Sequence, residues 1–172
     1  MELILPGPAC EASYRQAIGE YARAGLSPSF FFGGAERCPA GLFARFEDYR
    51  VGRDLPAGYV PCTCLWLVEG EEFLAEASIR HRLTPALEKF GGHIGYAVRA
   101  GRWGQGLGTR LLAGALDYAR GPLGLSWVLL TCADGNTGSA RVIEKNGGVL
   151  LDKLDDAVDG RPRVTRRYRI DL

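Results

Sequence analysis

The sequence predicts an α/β (α+β) domain, with a central mixed, mostly antiparallel sheet of about six to seven strands flanked by helices. Three observations carry this. "PCTCLWLVEGEEFLAEASIRHRL" reads as two strands around a Glu-Gly turn, hence a hairpin. "LSWVLLTCA" is a nearly continuous apolar run, the pattern of a central strand. "GLGTRLLAGALDYARGPLG" places Leu107, Leu111, Leu112, Ala115, Leu116 and Ala119 on one stripe of an amphipathic helix.

The other elements follow in order. "MELILP" reads as a first strand. "ACEASYRQAIGEYARAG" has helical spacing and stops at Gly25, and "GLFARFEDYRVG" is a shorter helix. "LSPSFFFGGAERCPA", between them, reads as a loop with an aromatic cluster. "TPALEKFGG" is a short helix opened by Thr84 and Pro85. "HIGYAVRA" alternates as a strand. "NTGSARVIEKNGG" is a helix with Asn136 at its N-cap and Gly147 just past its end. "VLLDKL" and "RVTRRYRID" close the chain as strands.

Composition limits the function classes. At 172 residues the chain suits one domain spanning 1–172. A net charge of +1 argues against a general nucleic-acid binder. The basic C-terminal stretch reads first as a solvated strand face. No run of about 18 apolar residues exists, so no membrane span is expected. The first residues lack the basic and apolar regions of a secretory signal. Cys10, Cys38, Cys62, Cys64 and Cys132 form no Cys-x-x-Cys pair, and His81 and His93 complete no zinc pattern. Buried free thiols, no metal and a cytoplasmic location are expected.

The chemistry centres on "RWGQGLGTRLL". Its Gly104-Gln-Gly106-Leu-Gly108 spacing is neither a dinucleotide fingerprint nor a P-loop, which would need a lysine after its last glycine. Glycines still let successive N–H groups turn inward, and the helix that starts here adds its positive end. A phosphate or pyrophosphate is the natural occupant; a plain turn is the alternative.

"HIGYAVRAGRWGQGLGTRLL" resembles the acetyl-CoA-binding segment of the GNAT superfamily of N-acetyltransferases. "NTGSARVIEKNGG" resembles that superfamily's next helix through Asn136, Ser139, Glu144, Lys145 and Gly147. The two segments place an acetyl-CoA-binding core at about 91–148. Trp103 stands where the family prefers Gln or Arg, and Arg102 is placed to substitute in charge. The resemblance implies splayed fourth and fifth strands and acetyl-CoA as cosubstrate. It assigns cofactor contacts to Tyr96, Ala97 and Val98, to Trp103, Gly104, Gln105, Gly106, Leu107, Gly108 and Thr109, and to Asn136, Ser139 and Arg141.

The resemblance also implies direct transfer of an acetyl group to a primary amine. The amine must lose a proton, and the departing thiolate must gain one. The family's usual acid, a tyrosine, is replaced by Ile143. Asn136, Ser139 and Tyr168 are the alternative donors, and direct protonation of the thiolate by solvent is a further alternative. His93 is the first candidate base, with an ordinary pKa of about 6.5; the alternative is a strand-end residue bonded to backbone. Glu76 is the second, since a glutamate inside an apolar strand suggests a cleft. Strand parity puts Glu76 and Arg80 on one face and His81 on the other. Phe32, Asp48, Glu76, Arg80, His81 and His93 are the candidate acceptor contacts. Glu47 lies beside Asp48, and carboxylates near an aromatic would suit a cationic acceptor such as a polyamine or an aminoglycoside. A small-molecule amine is the leading partner. Protein or peptide acetylation, and a CoA-binding sensor without catalysis, are the alternatives. Oligomeric state stays open, dimers being common in the superfamily.

Overall fold

The structure, a computed structural model, describes residues 1–27, 41–158 and 161–172. In chain order the elements are β1 (Glu2–Ile4), α1 (Glu11–Arg23), α2 (Leu42–Val51), β2 (Cys62–Glu69), β3 (Glu72–Arg80), α3 (Pro85–Lys89), β4 (Ile94–Val98), α4 (Leu107–Arg120), β5 (Trp127–Ala133), α5 (Thr137–Lys145), β6 (Val149–Val158) and β7 (Arg161–Asp171). The aromatic run containing Phe32 lies outside the described residues. Among those residues, no helix is long and apolar enough to cross a membrane.

The strands form two antiparallel sheets, ordered β1-β2-β3-β4 and β5-β7-β6. The last strand therefore inserts between its two predecessors. β2 is buried on both faces because helices cover it on both sides. On one face Trp66 meets Tyr14 of α1 in a stacked pair and Phe46 of α2 edge-on. On the other, Leu65, Leu67, Ala75, Ala77 and Ile79 pack in one core with Leu111, Leu112 and Ala115 of α4. Each buried leucine of that stripe contributes roughly 1.5–3 kcal/mol.

The register of the hairpin decides what faces the site. Trp66 lies opposite Glu76, Cys64 opposite Ser78, and Cys62 opposite Arg80. Paired residues share a face. Glu76, Ser78 and Arg80 thus form a polar row on the face covered higher up by α1 and α2.

β4 and β5 do not form a ladder. One bridge joins the two sheets, Gly92 to Leu130. Gly92 has φ of +63°, and a Cβ there would lie 2.3 Å from the Leu129 carbonyl oxygen. Only glycine allows this approach. Past the bridge the strands diverge, as the resemblance implied, and among the described residues β4 keeps one edge without a strand partner.

Candidate active site

The divergence opens a cavity of about 760 Å³. This is within the range of small-molecule sites. Its floor is the β3 row Glu76, Ser78 and Arg80 together with Gly95 and Tyr96 of β4. Arg45 and Tyr49 of α2 form one side. Asn136 and Ser139 at the start of α5, with Arg163 and Thr165 of β7, form the other.

Glu76 is 2% exposed, and its Oε2 accepts the Trp66 indole N–H at 2.8 Å. That bond fixes the carboxyl against the aromatic cluster. Arg80 reaches the turn before β4, where its Nη1 donates to the carbonyl of Gly92 at 3.1 Å.

In the gap between the strands, the Tyr96 hydroxyl lies 2.7 Å from Ser139 Oγ and 3.1 Å from the Ser139 carbonyl oxygen. Burial pushes the Tyr96 phenol up to about 12. It is therefore protonated at neutral pH and able to donate. Ser139 is held in turn by the helix start, since its N–H donates to the Asn136 side chain at 3.0 Å. Asn136 is the N-cap, as its spacing predicted.

The glycine loop sits beyond the other end of β4. Gly104 and Gly106 have φ of +77° and +76°, and no atom lies within 4 Å of where either Cβ would stand. Gly106 caps α4 without a side-chain bond, so the first N–H groups of this 14-residue helix take no side-chain partner from the cap. Gly108 packs against Val142 and Val98, joining α4 to α5 and β4. Trp103 is 53% exposed, and its indole N–H donates to the Val98 carbonyl at 2.9 Å. This latches the loop to the end of β4. The fit to a pyrophosphate is thus a matter of main chain: free N–H groups, no Cβ in the way, and the positive end of a helix.

Several sequence expectations change position. His93 does not line the cavity. It is 5% exposed, and its Nδ1 accepts the Leu129 N–H at 2.9 Å while its own N–H donates to the Leu129 carbonyl at 2.7 Å. Burial, aided by the Arg80 charge, lowers its pKa. His93 thus continues the junction between the sheets through its side chain. His81 lies 2.8 Å from Thr63 Oγ1, also off the cavity wall, as parity predicted. Asp48 accepts from Arg53, and Glu47 from Arg50. Arg45 and Tyr49 face the cavity from α2 instead, so the carboxylates expected to attract a cation point elsewhere. Arg102, expected to lend its charge to the loop, donates to Glu72 at 2.6 Å. Tyr168 is fully buried and donates to Glu144, far from the role of donor to a leaving group. Ile143, where the family acid stands, is 1% exposed in the core. Arg141 is exposed on α5, and Ala97 and Leu107 are buried, so the latter two can offer a ligand main chain only. The C-terminal basic run is largely matched by aspartates: Arg166 to Asp134, Arg167 to Asp152 and Arg169 to Asp171. Among the described residues, no His, Cys, Asp or Glu cluster could hold a metal ion.

Sequence reasoning missed Arg45, Tyr49, Arg163 and Thr165 as cavity residues. Arg45 and Tyr49 are four apart on α2, flanking the buried Leu42 and Phe46, so helical spacing carried a signal. Nothing local marked Arg163 or Thr165.

Comparison with known proteins agrees with this geometry. The chain resembles RimL, a ribosomal-protein alpha-N-acetyltransferase in complex with coenzyme A, with a TM-score of 0.72 and 15% identity over 99% of this chain and 93% of that one. It also resembles a microcin self-immunity acetyltransferase in complex with acetyl-CoA and AMP, with a TM-score of 0.71 and 14% identity over 99% and 91%. A spermidine N-acetyltransferase from Vibrio cholerae superposes with a TM-score of 0.65 and 16% identity over 99% and 95%. These likenesses are of fold. No curated protein sequence matches the chain. The acetyltransferase (GNAT) domain family, however, matches residues 40–149, which hold the hairpin, the parted strands, the glycine loop and α5. The chain that builds this parted sheet is therefore a GNAT-family acetyltransferase.

Proposed function

We propose that the protein binds acetyl-CoA between β4 and β5 and transfers its acetyl group directly to a primary amine of a small molecule, both bound at once. The observation that carries this reading is the parted sheet with the Tyr96–Ser139 pair inside it and the glycine loop beyond it. The open edge of β4 offers main-chain groups of Tyr96, Ala97 and Val98 to an amide-bearing arm. The loop from Trp103 to Thr109 holds the pyrophosphate, and Asn136, Ser139 and Arg141 bound the site on the α5 side.

The bound thioester supplies an activated acyl carbon and a thiolate leaving group. The amine N–C bond forms as the C–S bond breaks. Glu76, on the cavity floor, takes the proton released by the amine. Tyr96 gives its hydroxyl proton to the sulfur and regains one from solvent, with Ser139 holding the phenol in place. Ser139 also offers a hydroxyl to the developing oxyanion. His93 supports this from the junction rather than from the cavity.

The test is thiol release from acetyl-CoA against a panel of amino acids, polyamines, aminoglycosides and peptides. Amine-dependent release, with acetyl-CoA binding abolished by Gly106→Pro and release slowed by Tyr96→Phe, supports the reading. Tight CoA binding without turnover of any amine would favour a sensor and sink it.

A further inference from the structure

The cavity that would receive the acceptor carries an unexpected charge. Among the described residues that line it, the cations are Arg45, Arg80 and Arg163, and the one carboxylate is Glu76. The three arginines come from α2, β3 and β7, elements that meet nowhere in sequence. A polyamine or aminoglycoside would place several ammonium groups among them. Like charges brought together in a partly desolvated cleft oppose binding.

Arg80 does not belong to the cosubstrate's pyrophosphate. Arg80 lies where β3 meets the start of β4, since Ile79 pairs with Ile94 and the Arg80 N–H donates to the His93 carbonyl. The glycine loop follows Val98, at the other end of β4. A five-residue strand separates the two by roughly 16 Å. One molecule's pyrophosphate cannot occupy both.

A second observation points to a ligand at the same wall. Thr165 is 2% exposed and lines the cavity two residues from Arg163, and its hydroxyl has no hydrogen-bond partner among the described residues. A buried hydroxyl left unpaired is costly, and such groups in native sites usually meet a ligand or an ordered water. A hydroxyl beside guanidinium groups suits an anionic oxygen. Arg80 engages the turn carbonyls through Nη1, and its planar fork carries further N–H donors.

We infer that the acceptor is a small amine that also bears an anionic group, a carboxylate or a phosphate, held by Arg80, Arg163, Arg45 and the Thr165 hydroxyl. The inference rests on the transferase reading for which molecule is the acceptor. The site sorts amines by charge: Glu76 faces the amine, and the arginines face the anion. It rejects polycations by the same field.

The experiment uses matched pairs, glycine against glycinamide and O-phosphoethanolamine against ethanolamine, with spermidine and kanamycin as polycations and a neutral peptide as a further amine. Initial rates are read by thiol release. Binding of each probe to the CoA-saturated protein is read by calorimetry, so that charge selectivity is measured even where turnover is slow. The expected result is a preference of tenfold or more for the anionic member of at least one pair. Which pair responds separates carboxylate from phosphate. The preference collapses in Arg80→Gln and Arg163→Gln, is partly kept in Arg80→Lys, and weakens in Thr165→Val, with unchanged circular dichroism. KM for the anionic acceptor rises while KM for acetyl-CoA holds. Equal handling of both members of each pair, or preference for spermidine, kanamycin or the neutral peptide, overturns the inference and leaves the transferase reading standing. Failure to bind acetyl-CoA overturns the transferase reading, while charge-selective probe binding is still scored on its own.

Discussion

His93 and Leu129 exchange two hydrogen bonds across the junction of the sheets, one from backbone to backbone and one from backbone to imidazole. The side chain of His93 stands in for a rung that the diverging strands could not otherwise make. Removing it orphans the buried Leu129 N–H. We expect His93→Ala to cost about 1–3 kcal/mol, read as a lower urea midpoint. Acetyl transfer should fall only as far as folding does. A total loss of turnover in fully folded His93→Ala protein would instead make the imidazole the base.

The same histidine gives the stability a pH dependence. Its folded pKa is lowered by burial and by Arg80, so the native state resists protonation more than the unfolded chain does. Its contribution is complete above the unfolded value of about 6.5 and is lost as pH falls from there toward the folded value. His81 is lowered as well, by burial and then Arg50. Urea midpoints should therefore drop on acidification from pH 7 to 5. The slope should be shallower in His93→Asn, and an unchanged slope would show that His93 titrates alike in both states.

Two glycines separate folding from binding. Gly92→Ala would set a Cβ 2.3 Å from a carbonyl oxygen and strain a positive φ. Strain of this kind alone costs about 1–3 kcal/mol, so this variant should melt much earlier than wild type. Gly104→Ala meets no atom and pays only for its φ, about 1 kcal/mol. Its main effect should be weaker acetyl-CoA binding, seen by calorimetry.

Tyr96→Phe removes the proton proposed for the leaving sulfur and leaves the ring in place. We expect kcat to fall by about 10²-fold, with KM for acetyl-CoA and the melting temperature little changed. Ser139→Ala should show a smaller loss of the same type. A faster or unchanged kcat in Tyr96→Phe would assign protonation of the thiolate to solvent.

The elements were legible because each carries its own periodicity. The hairpin, the α4 stripe, and the caps Asn136 and Gly147 needed no partner to be recognised. Glu76 and Arg80 were legible too, since strand parity fixes a face. What stayed hidden depended on strands that part. Nothing near Tyr96 in sequence announces that its hydroxyl meets Ser139, 43 residues on. His93 shows its type in the sequence but not its neighbour, and only the junction reveals that its Nδ1 is engaged. Asp48 misled because an acidic residue on a helix says nothing of which flank turns inward. Arg45 and Tyr49 hold that flank.

The free edge of β4 has one more consequence, for the life of the protein between substrates. A strand edge with unmade hydrogen bonds is a template for any passing extended chain. Here the cosubstrate's amide arm is also a cover for that edge. The empty protein should be the form that self-associates on standing, and coenzyme A should delay light scattering at concentrations that saturate the slot. Abundance of the enzyme would then follow the supply of its own acyl donor, a form of quality control written into a sheet that never closes.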